Sequence, residues 1–148
     1  MRKVSIRAKF HDSPDSLWKT LENIRDWSKY VKFVWRIEGP EKIKVGDEWS
    51  DITTIVFVPL SIKHRVTKMT PKKELRFFVP LFFGGQMDQS FLLTPVKEGT
   101  DVQMEITFDL GNPIFNYVVG PILTHRLQVM LNDTLKNLER KINERKIT

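Results

Sequence analysis

Hydrophobic and polar residues alternate strictly at the start of the chain: Val4, Ile6, Ala8 and Phe10 fall on one phase, and Lys3, Ser5, Arg7 and Lys9 on the other. That period predicts a strand with one dry face and one wet face. Ser13-Pro14-Asp15-Ser16 follows. It supplies a serine cap, a proline preset for the first helical turn and an acid near the positive helix end, so a helix starts here. Leu17, Leu21 and Ile24 recur at helical spacing beside Trp18, and a second short helix from Asp26 to Val31 presents Trp27, Tyr30 and Val31. A strand over Phe33–Glu38 ends at Gly39-Pro40.

From Gly46 onward strands are predicted in quick succession: Glu48–Phe57, Ser61–Met69, Glu74–Val79, Gln86–Thr94 and Asp101–Leu110. The separators are too short for parallel crossovers, which need a dozen or more residues, so the strands pair as antiparallel hairpins. Gly111-Asn112-Pro113 then opens a long helix whose stripe runs through Leu123, Leu127, Met130, Leu131, Thr134 and Leu138. Gly120-Pro121 must bend or restart it, because proline removes a backbone donor and crowds the preceding turn. The order is strand, two short helices, six strands and one long helix. The only large amphipathic element able to cover the dry face of the sheet is that last helix. The expected fold is therefore α+β, a curved antiparallel sheet of about seven strands wrapped around a C-terminal helix, in one domain spanning residues 1–148.

Composition narrows the chemistry. The chain contains no cysteine, which removes disulfides, thiolate metal sites and cysteine nucleophiles. The net charge is +6, which raises affinity for any polyanion without naming one. The basic residues are dispersed over many strand faces and form no helix-turn-helix or RNA-recognition pattern, so nucleic acid is not an expected partner. Pro59, Gly120 and Pro121 interrupt the best apolar runs before they reach membrane-spanning length. The basic start leads into an alternating segment rather than an apolar core, so a signal peptide is not expected and the default compartment is cytoplasmic.

Four segments carry a resemblance: Ser13-Pro14-Asp15-Ser16-Leu17-Trp18, Asp26-Trp27-Ser28-Lys29-Tyr30-Val31, Val45-Gly46-Asp47-Glu48-Trp49 and Glu98-Gly99-Thr100-Asp101-Val102. In this order they resemble the START, polyketide-cyclase and pollen-allergen-like (SRPBCC) superfamily, over essentially the whole chain. The resemblance implies a helix-grip fold with an internal, mostly apolar cavity between sheet and long helix. Members bind lipids, sterols, hormones or polyketides, and some are cyclases or dehydratases, so the fold leaves the function open.

The expected cavity lining is Trp18, Trp35, Trp49, Phe77, Phe91, Met104, Phe108, Leu123, Leu127 and Met130, with His64 and Gln89 as its few polar contacts. His64 shares a strand phase with Ile62 and Val66, although Lys68 falls on that phase too. A buried imidazole could orient a ligand hydroxyl or act as an acid or base. Gln89 is in phase with Met87 and Phe91, whereas Asp88 meets water; Asp51 and Thr53 share a phase with Trp49 and are secondary candidates. His125 and His11 are off the dry faces. No two histidines have metal-binding spacing, and neither a catalytic triad, a phosphate loop nor a paired-carboxylate motif is present, so no metal or cofactor is expected and no catalytic residue is assigned.

Two hairpin tips carry apolar residues where polar ones are usual: Pro59 and Leu60 in one, Leu81, Phe82 and Phe83 in the other. With Phe115 at the start of the last helix they are expected to rim the cavity mouth. Three roles compete for them: folding inward, contact between copies, or transient contact with a membrane surface. The expected partner is a small hydrophobic molecule, lipid-like or polyketide-like. The alternatives are a cyclase or dehydratase using His64 with a nearby carboxylate, and a non-catalytic interaction domain like the co-chaperone relatives.

Overall fold

The computed structural model describes residues 2–55, 58–81 and 84–147, with the side chains of 145–147 excepted. Its elements are β1 (Arg2–Phe10), α1 (Pro14–Glu22), a 3-10 helix (Ile24–Lys29), β2 (Val34–Glu38), β3 (Glu48–Thr53), β4 (Leu60–Thr70), β5 (Glu74–Pro80), β6 (Gln86–Val96), β7 (Gly99–Asp109), α2 (Pro113–Val118) and α3 (Gly120–Ile147). The strands form one antiparallel sheet in the order β1-β7-β6-β5-β4-β3-β2. β1 therefore pairs with β7, in a register running from Arg2 opposite Phe108 to Phe10 opposite Thr100. The remaining neighbours are joined by successive hairpins. This is the helix-grip arrangement, a curved sheet closed on its dry side by α3.

Local chemistry places these elements where the residue pattern put them. Ser13 Oγ accepts from the Ser16 amide at 3.2 Å and Pro14 occupies the first helical position. On β7, Val102, Met104, Ile106 and Phe108 are buried and the residues between them are not. On α3, Leu123, Leu127, Leu131, Leu135, Leu138 and Ile142 are buried along one stripe. Thr134 and Asn137 pin the chain after the 3-10 helix to that stripe: Thr134 Oγ1 accepts from the Lys32 amide at 3.0 Å, and Asn137 Nδ2 donates to the Tyr30 carbonyl at 3.1 Å. The helix does break at Gly120-Pro121. A side chain at Gly120 would collide with the Arg2 guanidinium, which crosses there to donate to the Asn116 carbonyl at 3.1 Å.

Two bulges and one early strand end revise the alternation. β4 slips register between Val66 and Lys68, so Lys68 turns outward while His64 and Val66 stay inside. β2 slips between Val34 and Arg36. The bulge puts Trp35 on the outside, 67% exposed, and Trp35 is not the lining residue expected. β3 ends at Thr53, and Val56 and Phe57 of the expected strand lie outside the described residues. Its next carbonyls serve the helix instead of a strand: Arg126 Nη2 donates to the Thr54 carbonyl at 2.8 Å and Arg126 Nε to that of Ile55. The same guanidinium lies over the Phe33 ring, 4.4 Å from its centroid.

Candidate functional site

A cavity of about 320 Å³ lies between the sheet and the first half of α3. Its floor is Trp27. The 3-10 helix projects this indole into the sheet face, where it meets Trp49, Phe77 and Phe91 edge-on at 5.7, 5.6 and 5.4 Å. Trp27 Nε1 donates to the Leu21 carbonyl at 2.8 Å, which fixes the plane of the ring. One side of Trp27 thus belongs to solid core and the other to the void. Val31, Val34, Ile55, Ile62, Val79, Met87 and Leu110 form the walls, and Leu123, Leu127 and Met130 of α3 form the roof.

Trp27 also explains the misplaced part of the expected lining. Trp18, Trp49, Phe77, Phe91, Met104 and Phe108 all point to the dry side and are buried, but none lines the cavity. Three of them, Trp49, Phe77 and Phe91, pack directly behind the Trp27 ring. Strand phase reports the side a residue faces and carries no measure of how far the opposing layer stands off. Of the expected lining, the structure brings His64, Gln89, Leu123, Leu127 and Met130 to the cavity, together with Asp51 and Thr53.

At the mouth, Leu60, Leu81 and Phe115 line the opening, and Pro59 is exposed outside it. Phe82 and Phe83 lie outside the described residues. Ile114, Tyr117, Val118 and Ile122 surround this end and are more than half exposed. A sequence signal for the mouth exists that alternation does not capture. Residues 54–62, 77–87 and 110–124 contain no charged residue in a chain that is 28% charged, and each of these runs contributes described residues to the opening. Val31, Val34 and Val119 sit in or beside irregular segments, where neither period applies.

The polar content of the wall is concentrated in two residues on neighbouring strands. Asp51 on β3 pairs across to Ile62, and Trp49 pairs to His64, so Asp51 and His64 are diagonal neighbours on the inner face. His64 Nε2 lies 3.5 Å from Asp51 Oδ2. His64 Nδ1 is 3.3 Å from the Ile62 carbonyl, so Nδ1 carries the proton and donates there, leaving Nε2 as a bare acceptor. The imidazole stacks on Trp49 with centroids 4.9 Å apart and planes 12° from parallel. Burial lowers His64 to about 4 against the smaller opposing effect of the Ile62 bond, and burial raises Asp51 to about 7. Between about pH 4 and 7 the two groups therefore form a neutral pair, with the proton on the carboxyl, rather than an ion pair. Asp51 Oδ1 is buried without a hydrogen-bond partner.

Gln89 donates from Nε2 to Met87 Sδ at 3.0 Å, and Thr53 Oγ1 accepts from the Ile55 amide at 3.3 Å. No lysine or arginine is among the described lining residues. His11, Asp88 and His125 are exposed. Among the described residues there is no group of three or more histidines and carboxylates able to hold a metal, and no helix long and apolar enough to cross a membrane.

A curved antiparallel sheet gripping a long C-terminal helix around an apolar void defines the START-like helix-grip class. Comparison of sequences carries this to a family: residues 1–143 match the family described as polyketide cyclase/dehydrase and lipid transport, and the chain belongs to it. Comparison with curated proteins gives no match. Among solved structures, TTHA0849 from Thermus thermophilus is similar with a TM-score of 0.80 at 18% identity, over 97% of this chain and 98% of that one. A START superfamily protein from Mycobacterium smegmatis has a TM-score of 0.77 at 14% identity, over 96% and 97%. The ZhuI aromatase/cyclase from Streptomyces sp. R1128 has a TM-score of 0.73 at 12% identity, over 99% and 96%. At these identities the likeness is one of fold.

Proposed function

We propose that the protein binds and carries a small, uncharged, largely apolar molecule in this cavity. The observation that carries the reading is the void itself: about 320 Å³ enclosed by apolar walls, with the neutral Asp51–His64 pair as its main polar feature. That volume and lining are those of a site for a compact organic ligand. The exposed apolar rim gives such a ligand a continuous path from the void to the surface.

Native mass spectrometry of the purified protein, before and after solvent extraction, tests the reading. A one-to-one apolar adduct is expected, and replacing Ile62 with tryptophan should lower affinity for it by at least about tenfold, because the indole takes space the ligand must occupy. A clean mass together with no affinity for any apolar probe would overturn it.

A second reading is favoured by the same Asp51–His64 pair, which joins a carboxylic acid to a bare imidazole nitrogen at 3.5 Å. In a bound β-hydroxy ketone, His64 Nε2 takes the proton from the carbon beside the carbonyl. The Asp51 carboxyl protonates the hydroxyl, which leaves as water as the double bond forms. The proton on His64 then passes to Asp51 and restores the starting state. Mass loss of one water from such a compound, faster with the wild type than with Asp51→Asn, is the expected sign; equal rates would remove this reading and leave carriage untouched.

A further inference from the structure

We propose that Arg126 sets how fast a ligand enters and leaves the cavity, by latching the end of β3 and the start of β2 to α3. This rests on the cavity reading above and adds the control of its entrance.

The backbone of α3 lies against β1 at one edge of the sheet, and among the described residues it makes no comparably close approach to β2 or β3. Side chains bridge the gap on that side. Far along α3, Thr134 and Asn137 hold Lys32 and Tyr30. About two helical turns nearer the mouth, alongside the void, the bridge is Arg126. Its forked guanidinium donates to two successive carbonyls, that of Thr54 through Nη2 at 2.8 Å and that of Ile55 through Nε, and it covers the Phe33 ring. The Thr54 amide donates to the Phe33 carbonyl at 3.0 Å, so one side chain of α3 holds both strand ends.

The residues on either side of this junction wall the cavity. Val31 and Val34 bracket Phe33, Thr53 and Ile55 bracket Thr54, Leu123 and Leu127 bracket Arg126, and all of these line the void. The latch also works against a strained backbone. Phe33 has φ 71°, a left-handed conformation that a bulky side chain rarely adopts and that persists only where its surroundings impose it. Release of the guanidinium therefore frees Phe33 to return to extended backbone and the end of β3 to move off the helix, opening the gap onto the void. Arg126 is only half-buried, so water replaces the two carbonyls on release and no charge is stranded. That makes the tie reversible.

Stopped-flow mixing with N-phenyl-1-naphthylamine, a neutral apolar fluorophore, tests this on the intact protein. In Arg126→Met, which keeps an apolar stem and removes both donors, association and dissociation rates should each rise about tenfold over the wild type. Kd should change by less than about threefold, because a latch acts on the barrier. Arg126→Lys should raise both rates by about threefold, since an ammonium cannot take two carbonyls as a fork. Unchanged rates would overturn the latch, and so would faster dissociation with unchanged association, which would mean that Arg126 only shapes the wall. Hydrogen exchange of the ligand-free proteins reads the tie directly: the Thr54 amide should exchange about tenfold faster in Arg126→Met while the Val102 and Ile106 amides keep their protection. Equal exchange at Thr54 would overturn the latch and leave the cavity reading intact. Failure of the probe to bind the wild type would overturn both. If Arg126→Met does not fold, Arg126→Lys decides by the same rates.

Discussion

Replacing Trp27 with alanine should lower the unfolding free energy by about 4–6 kcal/mol, the largest loss expected for any single lining residue. The indole is 5% exposed and touches three aromatic rings. Truncating a buried Trp to Ala costs about 3–5 kcal/mol through lost transfer energy and the hole left behind. The Leu21 carbonyl also loses its donor, which adds about 1 kcal/mol. Since small domains are stable by about 5–15 kcal/mol, the variant should sit close to its unfolding threshold at room temperature. Urea titration measures this directly. Added indole should recover part of the loss, because a ligand that fills the hole stabilises the folded state by mass action. A cost below about 1 kcal/mol would mean that the ring is not the partition between core and void.

The second large effect is a change in how stability depends on pH. His64 titrates at about 4 in the folded protein against 6.5 when unfolded, so between those values the unfolded chain binds more protons. Its contribution to stability is present above 6.5 and is lost as pH falls to about 4. Asp51 behaves oppositely: at about 7 folded against 3.8 unfolded, its contribution is present below 3.8 and is lost as pH rises to about 7. From about pH 4 to 6.5 the unfolded chain holds a proton on the imidazole and the folded protein holds one on the carboxyl. The proton count is the same, and the two slopes cancel.

Asp51→Asn removes one side of that balance. Relative to the wild type, the variant should gain about 3 kcal/mol of stability as pH rises from about 4 to 6.5. His64→Asn should do the reverse and lose about 3 kcal/mol relative to the wild type as pH rises from about 4 to 6.5. Chemical denaturation at three or four pH values reads both, and parallel curves for wild type and variants would show that the two groups are not the buried neutral pair described above.

Much of this architecture can be read along the chain, because the residues that form it obey a single period. The alternation of Val102, Met104, Ile106 and Phe108, the Ser13-Pro14 start and the break at Gly120-Pro121 each express one local rule, and each stands in the structure as that rule requires. Trp35 and Lys68 escape the rule for one shared reason. A bulge adds a residue without a marker in the residue pattern, and every side chain beyond it changes face. The candidate site is legible to about the same depth. His64, Gln89 and the Leu123-Leu127-Met130 stripe reach the cavity because phase alone decides their direction. Trp49, Phe77 and Phe91 are displaced from it by Trp27, a residue on a 3-10 turn whose reach into the sheet no periodicity encodes. The partnering of Asp51 with His64 depends on the β3–β4 register, which becomes visible only when the hairpin is closed.

The pairing of β1 with β7 bears on how the protein comes into being on the ribosome. Residues 2–10 leave the exit tunnel well before residues 100–108, their only strand neighbour among the described residues, and the helix that covers them comes later still. Until then Val4, Ile6, Ala8 and Phe10 present a dry stripe and an unsatisfied strand edge to solvent or to any nascent neighbour. The hairpins from β2 to β7 can assemble in the order they emerge. The roof of the cavity and the first strand cannot. The cavity therefore closes in one late step, when the last helix is complete, and a chain halted before residue 99 is a sticky intermediate rather than a smaller version of the fold.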